Sequence, residues 1–261
     1  MMFSRNGRGT TMTALALGLL LPPTLAAART SGDPIRLVWE EGDVAGTSAI
    51  YGKTGDARIG TIEYHQVRRG DVLTSVRVAH FADGSSDEDS AEARVAGTLV
   101  ALSGRSIIRG PDGEPPVDLT IDVAGGHLAG TLRHGASVVP IDQHEQLPPA
   151  TYWGPLVFLA LKNFDANVED GRLVFRTVAP TPQPLVLDMA FTLEGRERVE
   201  RAGVAFDAVR YELQPTIHWA VDPVVRLVAP SATFWLLPGE PPALVGFQGP
   251  RNYARQPMRL Q

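Results

Sequence analysis

Apolar residues recur at every second position over many short runs of this chain, and the runs end at Gly, Pro, Asp or Asn. A period of two belongs to a β-strand with one buried face, whereas a helix repeats every three or four residues. In the run Arg58 to Arg68, Gly60, Ile62 and Tyr64 alternate with Ile59, Thr61 and Glu63. The same pattern predicts strands over Ile35 to Glu40, Gly46 to Tyr51, Val72 to Phe81, Arg94 to Leu102, Val117 to Val123 and His127 to Arg133. Further on it predicts Leu173 to Val178, Leu185 to Leu193, Phe206 to Leu213 and Thr233 to Leu237. Hairpin turns are expected at Arg69-Gly70, Ala124-Gly125-Gly126, His134-Gly135 and Glu194-Gly195, because glycine supplies the positive φ such turns require.

One helix is predicted, from Pro155 to about Phe164. Gly154-Pro155 is a good helix entry, and Leu156, Leu159 and Ala160 fall on one face. Closely spaced strands with a single helix between them favour antiparallel meanders over βαβ units. The expected fold class is therefore mainly β: a curved antiparallel sheet, half-barrel or sandwich, with one short mid-chain helix against its concave side. The Pro-rich stretches Pro180 to Pro184 and Pro238 to Pro242 read as rigid loops inside one domain.

The first residues change the picture of where this domain works. Arg5 and Arg8 precede an apolar run from Ala14 to Leu21, then Pro22-Pro23, then Ala26-Ala27-Ala28. That order is the one of a cleavable secretory signal, expected to span 1–28 and to leave 29–261 as a single β-rich domain. The apolar run is too short for a membrane-spanning helix, and Leu156 to Leu161 is shorter still, so no transmembrane segment is expected after cleavage. The chain has no cysteine, which removes disulfides and thiolate metal sites, so stability must come from the core. The formal charge is −5, or −7 without Arg5 and Arg8, and an acidic balance without a basic patch argues against nucleic acid as a partner. A periplasmic or secreted address is expected.

Four sets of residues bear on chemistry. Asp83, Asp87 and Glu88 belong to the acidic segment Asp83 to Asp89, which offers oxygen ligands but lacks the spacing of an EF-hand loop and reads first as a solvated turn. The six histidines, His65, His80, His127, His134, His144 and His218, include no H-x-H or HExxH pair, so no single element predicts a metal site. No G-x-S-x-G elbow and no phosphate-cradling glycine loop occurs, and no catalytic residue or cofactor is predicted. Trp153, Trp219 and Trp235 stand in aromatic clusters that either close the core or line an apolar cleft.

Several segments together resemble a family of uncharacterised exported bacterial proteins. They are Phe81 to Glu88 (F-x-D-G-S-x-D-E), Arg109-Gly110-Pro111 with Val117 to Asp122, and Leu147-Pro148-Pro149 with Trp153-Gly154-Pro155 (L-P-x-x-x-x-G). Ala179 to Pro184, and Phe234-Trp235 through Gln248-Gly249-Pro250, continue the resemblance. It implies an exported protein and carries no activity or site residue with it. At fold level the order of strands, short apolar helix and strands is similar to the half-barrels of periplasmic lipoprotein carriers, an analogy of shape alone.

These readings lead to an expectation of an envelope protein, not an enzyme, that binds a lipid or other apolar small molecule, or an envelope protein partner, in a concave β surface. Asp83, Asp87, Glu88, Trp153, Trp219 and Trp235 are its candidate binding residues. A hydrolase using Asp87 or Glu88 with a histidine is the alternative, and a module that adds a strand to a partner's sheet is a third.

Overall fold

The computed structural model describes residues 30–52, 57–180, 184–201, 204–216, 231–251 and 257–260. The predicted signal segment, Trp219 and His218 lie outside the described residues. A first meander runs through β1 (Ile35–Arg36), β2 (Val44–Gly52), β3 (Arg58–Arg69), β4 (Val72–Phe81), β5 (Ser86–Val95), β6 (Thr98–Arg109), β7 (Val117–Asp122), β8 (His127–His134) and β9 (Ser137–His144). The helix α1 (Pro155–Lys162) follows. A second meander holds β10 (Arg172–Ala179), β11 (Leu185–Arg201), β12 (Val204–Pro215), β13 (Ala232–Leu237), β14 (Ala243–Pro250) and β15 (Pro257–Leu260).

Every ladder is antiparallel, and from β2 to β9 and from β10 to β15 each strand pairs with the next in sequence. Two pairings break that rule: β1 lies on β6, and β15 lies on β2, where Met258, Arg259 and Leu260 face Gly52, Tyr51 and Ile50. The result is one curved, open sheet with β9 and β10 at its two ends, as the alternating pattern predicts. The chain between those ends carries α1, which closes against the inner face. Leu156, Leu159 and Ala160 are buried, and so are Pro155 and Leu161, while Val157 and Phe158 are partly buried, so a helix this apolar is covered over most of its surface.

The inner face and α1 share one apolar core that runs from Ile35 and Leu99 through Leu119, Leu128 and Tyr152 to Phe175, Phe191 and Phe234. Its C-terminal end is aromatic: Phe191, Phe158 and Phe247 each meet Phe234 with ring centroids 4.9–5.9 Å apart in tilted or edge-on arrangements.

Several elements depart from the predicted pattern. The predicted strand Arg94 to Leu102 is two strands joined at Ala96-Gly97, where Gly97 takes φ +70°. The pair Glu194-Gly195 makes no turn: β11 runs on to Arg201, with a bulge between Leu193 and Gly195. Strands β9, β14 and β15 were not predicted; β9 carries Pro140, which a strand tolerates at a sheet edge, and β9 is an edge. The acidic segment is a turn only as far as Ser85, for Ser86 already begins β5.

Candidate functional site

The sheet register builds a row of polar side chains across the middle of an apolar face. Tyr64 on β3 faces Arg77 on β4, Arg77 faces Asp89 on β5, and Asp89 faces Ser106 on β6. Arg77 and Asp89, 8% and 4% exposed, form a buried ion pair, and Ser106 Oγ donates to Asp89 at 2.7 Å. Two charges can be kept this far from water only if each is held by its partner and by further hydrogen bonds. Arg77 Nε has no hydrogen-bond partner among the described residues and remains a free donor. Beside the row, the Tyr64 hydroxyl donates to Gln66 Oε1 at 2.5 Å, and Ser75 Oγ donates to the same oxygen at 2.9 Å. Burial pushes the Tyr64 hydroxyl up to about 12, so it stays protonated at any working pH.

One residue pair along β5, Asp87 also points inward and is 2% exposed. Loss of solvent pushes its pKa up from 3.8 to about 6; Arg77 and Arg251 oppose the shift, and Asp89 and Asp83 add to it. At the near end of the strand Arg251 reaches back to the turn. It donates to both Asp83 oxygens at 3.1 and 3.2 Å and to Ser85 Oγ, and it lies over the Phe81 ring. Hydrogen bonds from Ser85, more than the arginine, hold Asp83 below the usual carboxylate range.

Over this row sits the start of α1. Gly104 leaves room for the Trp153 ring: a Cβ there would come within 2.4 Å of the indole and 2.2 Å of the Ser90 carbonyl. Trp153 Nε1 donates to that carbonyl at 3.1 Å. Gly154 takes φ +48°, and a Cβ on it would stand 2.6 Å from Asp89 Cβ, so the helix entry rests directly on the ion pair.

Between α1 and the second meander lies a cavity of about 200 Å³. Val157, Phe158, Phe175, Met189, Phe234 and Phe247 are among the apolar residues that line it, and Arg77, Asp89 and Ser106 form a polar patch in it. A second cavity of about 340 Å³ opens beside β2 and β3, lined by Val44, Ile62, Tyr64, Leu244 and the Glu41–Lys162 ion pair. Arg77 and Phe158 line both, so the Phe158 ring stands between them.

The predicted site residues are thereby dispersed. Trp153 lines the first cavity, and Asp89 lines it in place of its neighbours in the acidic segment. Asp87 is buried beside the polar row, Glu88 points to the opposite face, where Arg109 approaches to 4.0 Å, and Asp83 is held by Arg251 at the turn. Consecutive strand residues face opposite ways, so Asp87 and Glu88 share no site. Trp235 packs with Val199 and Ala208 in a separate cluster and donates to Glu197 at 2.9 Å; its neighbour Phe234 is the one that lines the cavity. Phe247 stands in the aromatic clusters of the sequence, but Arg77, Phe158 and Phe175 escaped the sequence reading because only the register and the closure of the helix bring them together. Arg77 carried one usable signal, a charge at an inward position of β4 between Ser75 and Ala79.

No family model, no curated protein and no solved structure matches this chain.

Proposed function

We propose that this protein is an exported, non-enzymatic binding protein that holds an elongated apolar molecule, an acyl chain with a polar end, between α1 and the second meander. The apolar cavity at the Phe158, Phe234 and Phe247 wall carries this reading, because it joins a large hydrophobic lining to a few fixed polar groups. Small-molecule sites have that composition: apolar surface supplies affinity and convergent polar groups set orientation. Arg77 and Ser106, in the polar patch of the cavity, supply the groups for the polar end, and the second cavity past Phe158 offers room for a longer chain. Export rests on the signal-like order of residues 1–28.

The test is native mass spectrometry of the protein purified from its own cell envelope, together with displacement of an environment-sensitive fluorescent fatty acid. The expected result is a co-purifying lipid-sized mass and saturable probe binding. Val157→Trp, which fills the cavity from the partly exposed face of α1, is expected to weaken probe binding at least tenfold while the far-ultraviolet spectrum is kept. A protein that carries no apolar mass and binds no probe would end the proposal. Edman sequencing of the same material is expected to begin at Arg29.

A further inference from the structure

The β8–β9 hairpin brings one side chain from β8 against two from β9. His127 on β8 stands directly opposite His144 on β9, and Asp142 lies two residues before His144, on the same face. The Glu145 N–H donates to the Gly126 carbonyl at 2.8 Å just beyond the His127–His144 pair. In an antiparallel ladder that bond marks the pair as the non-hydrogen-bonded kind, whose side chains stand closest. The two imidazoles are stacked with centroids 4.6 Å apart, and His127 Nε2 lies 2.7 Å from Asp142 Oδ1. One nitrogen of each histidine and one carboxylate oxygen all fall within 4.8 Å of one another. The group faces away from the core: on the other side of the same strands, Leu128 and Ile141 are buried.

We propose that His127, Asp142 and His144 form a binding site for a divalent transition-metal ion, with Zn²⁺ as the fitting ion, on the outer face of this hairpin. Two imidazoles and one carboxylate are the donor set of such ions, whereas Ca²⁺ and Mg²⁺ require more oxygen ligands than the site holds. A tetrahedral Zn²⁺ with bonds of about 2.0–2.2 Å keeps its ligand atoms roughly 3.3 Å apart, which small χ rotations of two exposed side chains reach from the present spacing. Three protein ligands leave the fourth position to water, and Asp142, with its side chain 76% exposed, leaves that position open to solvent. The backbone is fixed by the turn that precedes His127: Gly126 has φ +62°, and a Cβ there would come within 2.6 Å of the Glu145 carbonyl. The site lies on the face opposite the apolar core and depends on no part of the proposed ligand-binding reading.

The experiment is calorimetric titration of tag-free, chelator-treated protein with Zn²⁺, with Co²⁺ absorption as a geometric probe. The expected result is one saturable Zn²⁺ equivalent, an intense visible Co²⁺ band typical of tetrahedral coordination, and at least tenfold weaker binding in His144→Ala and in the isosteric Asp142→Asn. His65→Ala, a histidine on β3, is expected to bind as wild type. No saturable Zn²⁺ uptake by the wild-type protein overturns the proposal, and so does undiminished binding in both ligand variants. In either case the three side chains are only a stacked and hydrogen-bonded surface cluster.

Discussion

Asp87 is a carboxylate taken almost wholly out of water with Oδ1 unbonded among the described residues. Its raised pKa, from 3.8 to about 6, is set first by that loss of solvent. Between these two values the folded protein keeps a proton that the unfolded chain has released. Stability therefore falls as pH rises from about 4 to about 6, and at neutral pH the whole loss has been incurred, on the order of 3 kcal/mol. Asp83 is shifted the other way, and its contribution is lost only as pH falls below the ordinary aspartate range, outside this window. Asp87→Asn removes the ionisation without changing the shape. The variant is expected to be more stable than wild type at pH 7.5 and to lose most of that advantage at pH 4, read from urea unfolding midpoints. An equal offset at the two pH values would mean that the carboxylate is solvated in the folded state. The same residue shows where sequence reasoning stops: the D-G-S-x-D-E run announces acids, and only the strand start at Ser86 decides that Asp87 and Asp89 go inward while Glu88 goes out.

At the scale of elements, α1 is held by side chains that stand in for a ladder. Asn163 Oδ1 accepts from the backbone N–H groups of Val38 and Trp39 at 2.8 and 2.9 Å, and its Nδ2 donates to the carbonyls of Trp39 and Leu159. Four residues on, Asn167 does the same for Arg36, accepting from its N–H at 2.6 Å and donating to its carbonyl at 2.7 Å. Leu37 still donates to the Gly97 carbonyl at 2.9 Å, but Val38 and Trp39 find their hydrogen bonds at the helix end, and this is why the predicted strand Ile35 to Glu40 shrinks to two residues. Alternation can reveal that a segment is half-buried; it cannot reveal which partner satisfies the backbone. The helix itself was legible, because its entry signal and apolar face are local, and so were most strands of the first meander. The bulge at Gly195 was not, since a glycine that re-aims a long strand and one that closes a turn look alike in sequence. Asn163→Ala leaves two backbone donors without their acceptor and is expected to cost about 1–3 kcal/mol. The check is a lower unfolding midpoint together with faster amide exchange at Val38 and Trp39; unchanged exchange would mean that water replaces the asparagine at no cost.

The whole molecule is two meanders sealed to each other by the last strand. Apart from β1 on β6, every pairing within each meander is between sequence neighbours, which the spacing of strands and turns foretold, whereas β15 on β2 joins residues some two hundred positions apart and has no local signature. Among the described residues the β14–β15–β2 pairings are the hydrogen-bonded link between the meanders through the sheet. Arg251 adds side-chain bonds to Asp83 and Ser85 across the meanders, and the other extended link is the core, where α1 and the aromatic wall of Phe158, Phe234 and Phe247 touch both sides. These two links differ physically. Ladder bonds fix register, and apolar contact resists separation without fixing it. Deleting residues 257–261 removes the first and keeps the second. The expected outcome is a chain that still folds, with a lower thermal midpoint, a broader transition and faster amide exchange at Ile50, Tyr51 and Phe247. The acyl probe is expected to bind more weakly as well, since β14 supplies Phe247 to the cavity wall. A truncated protein that melts and binds as the full chain does would mean that the helix, the aromatic core and the Arg251 contact to Asp83 and Ser85 hold the two meanders in register without the last strand.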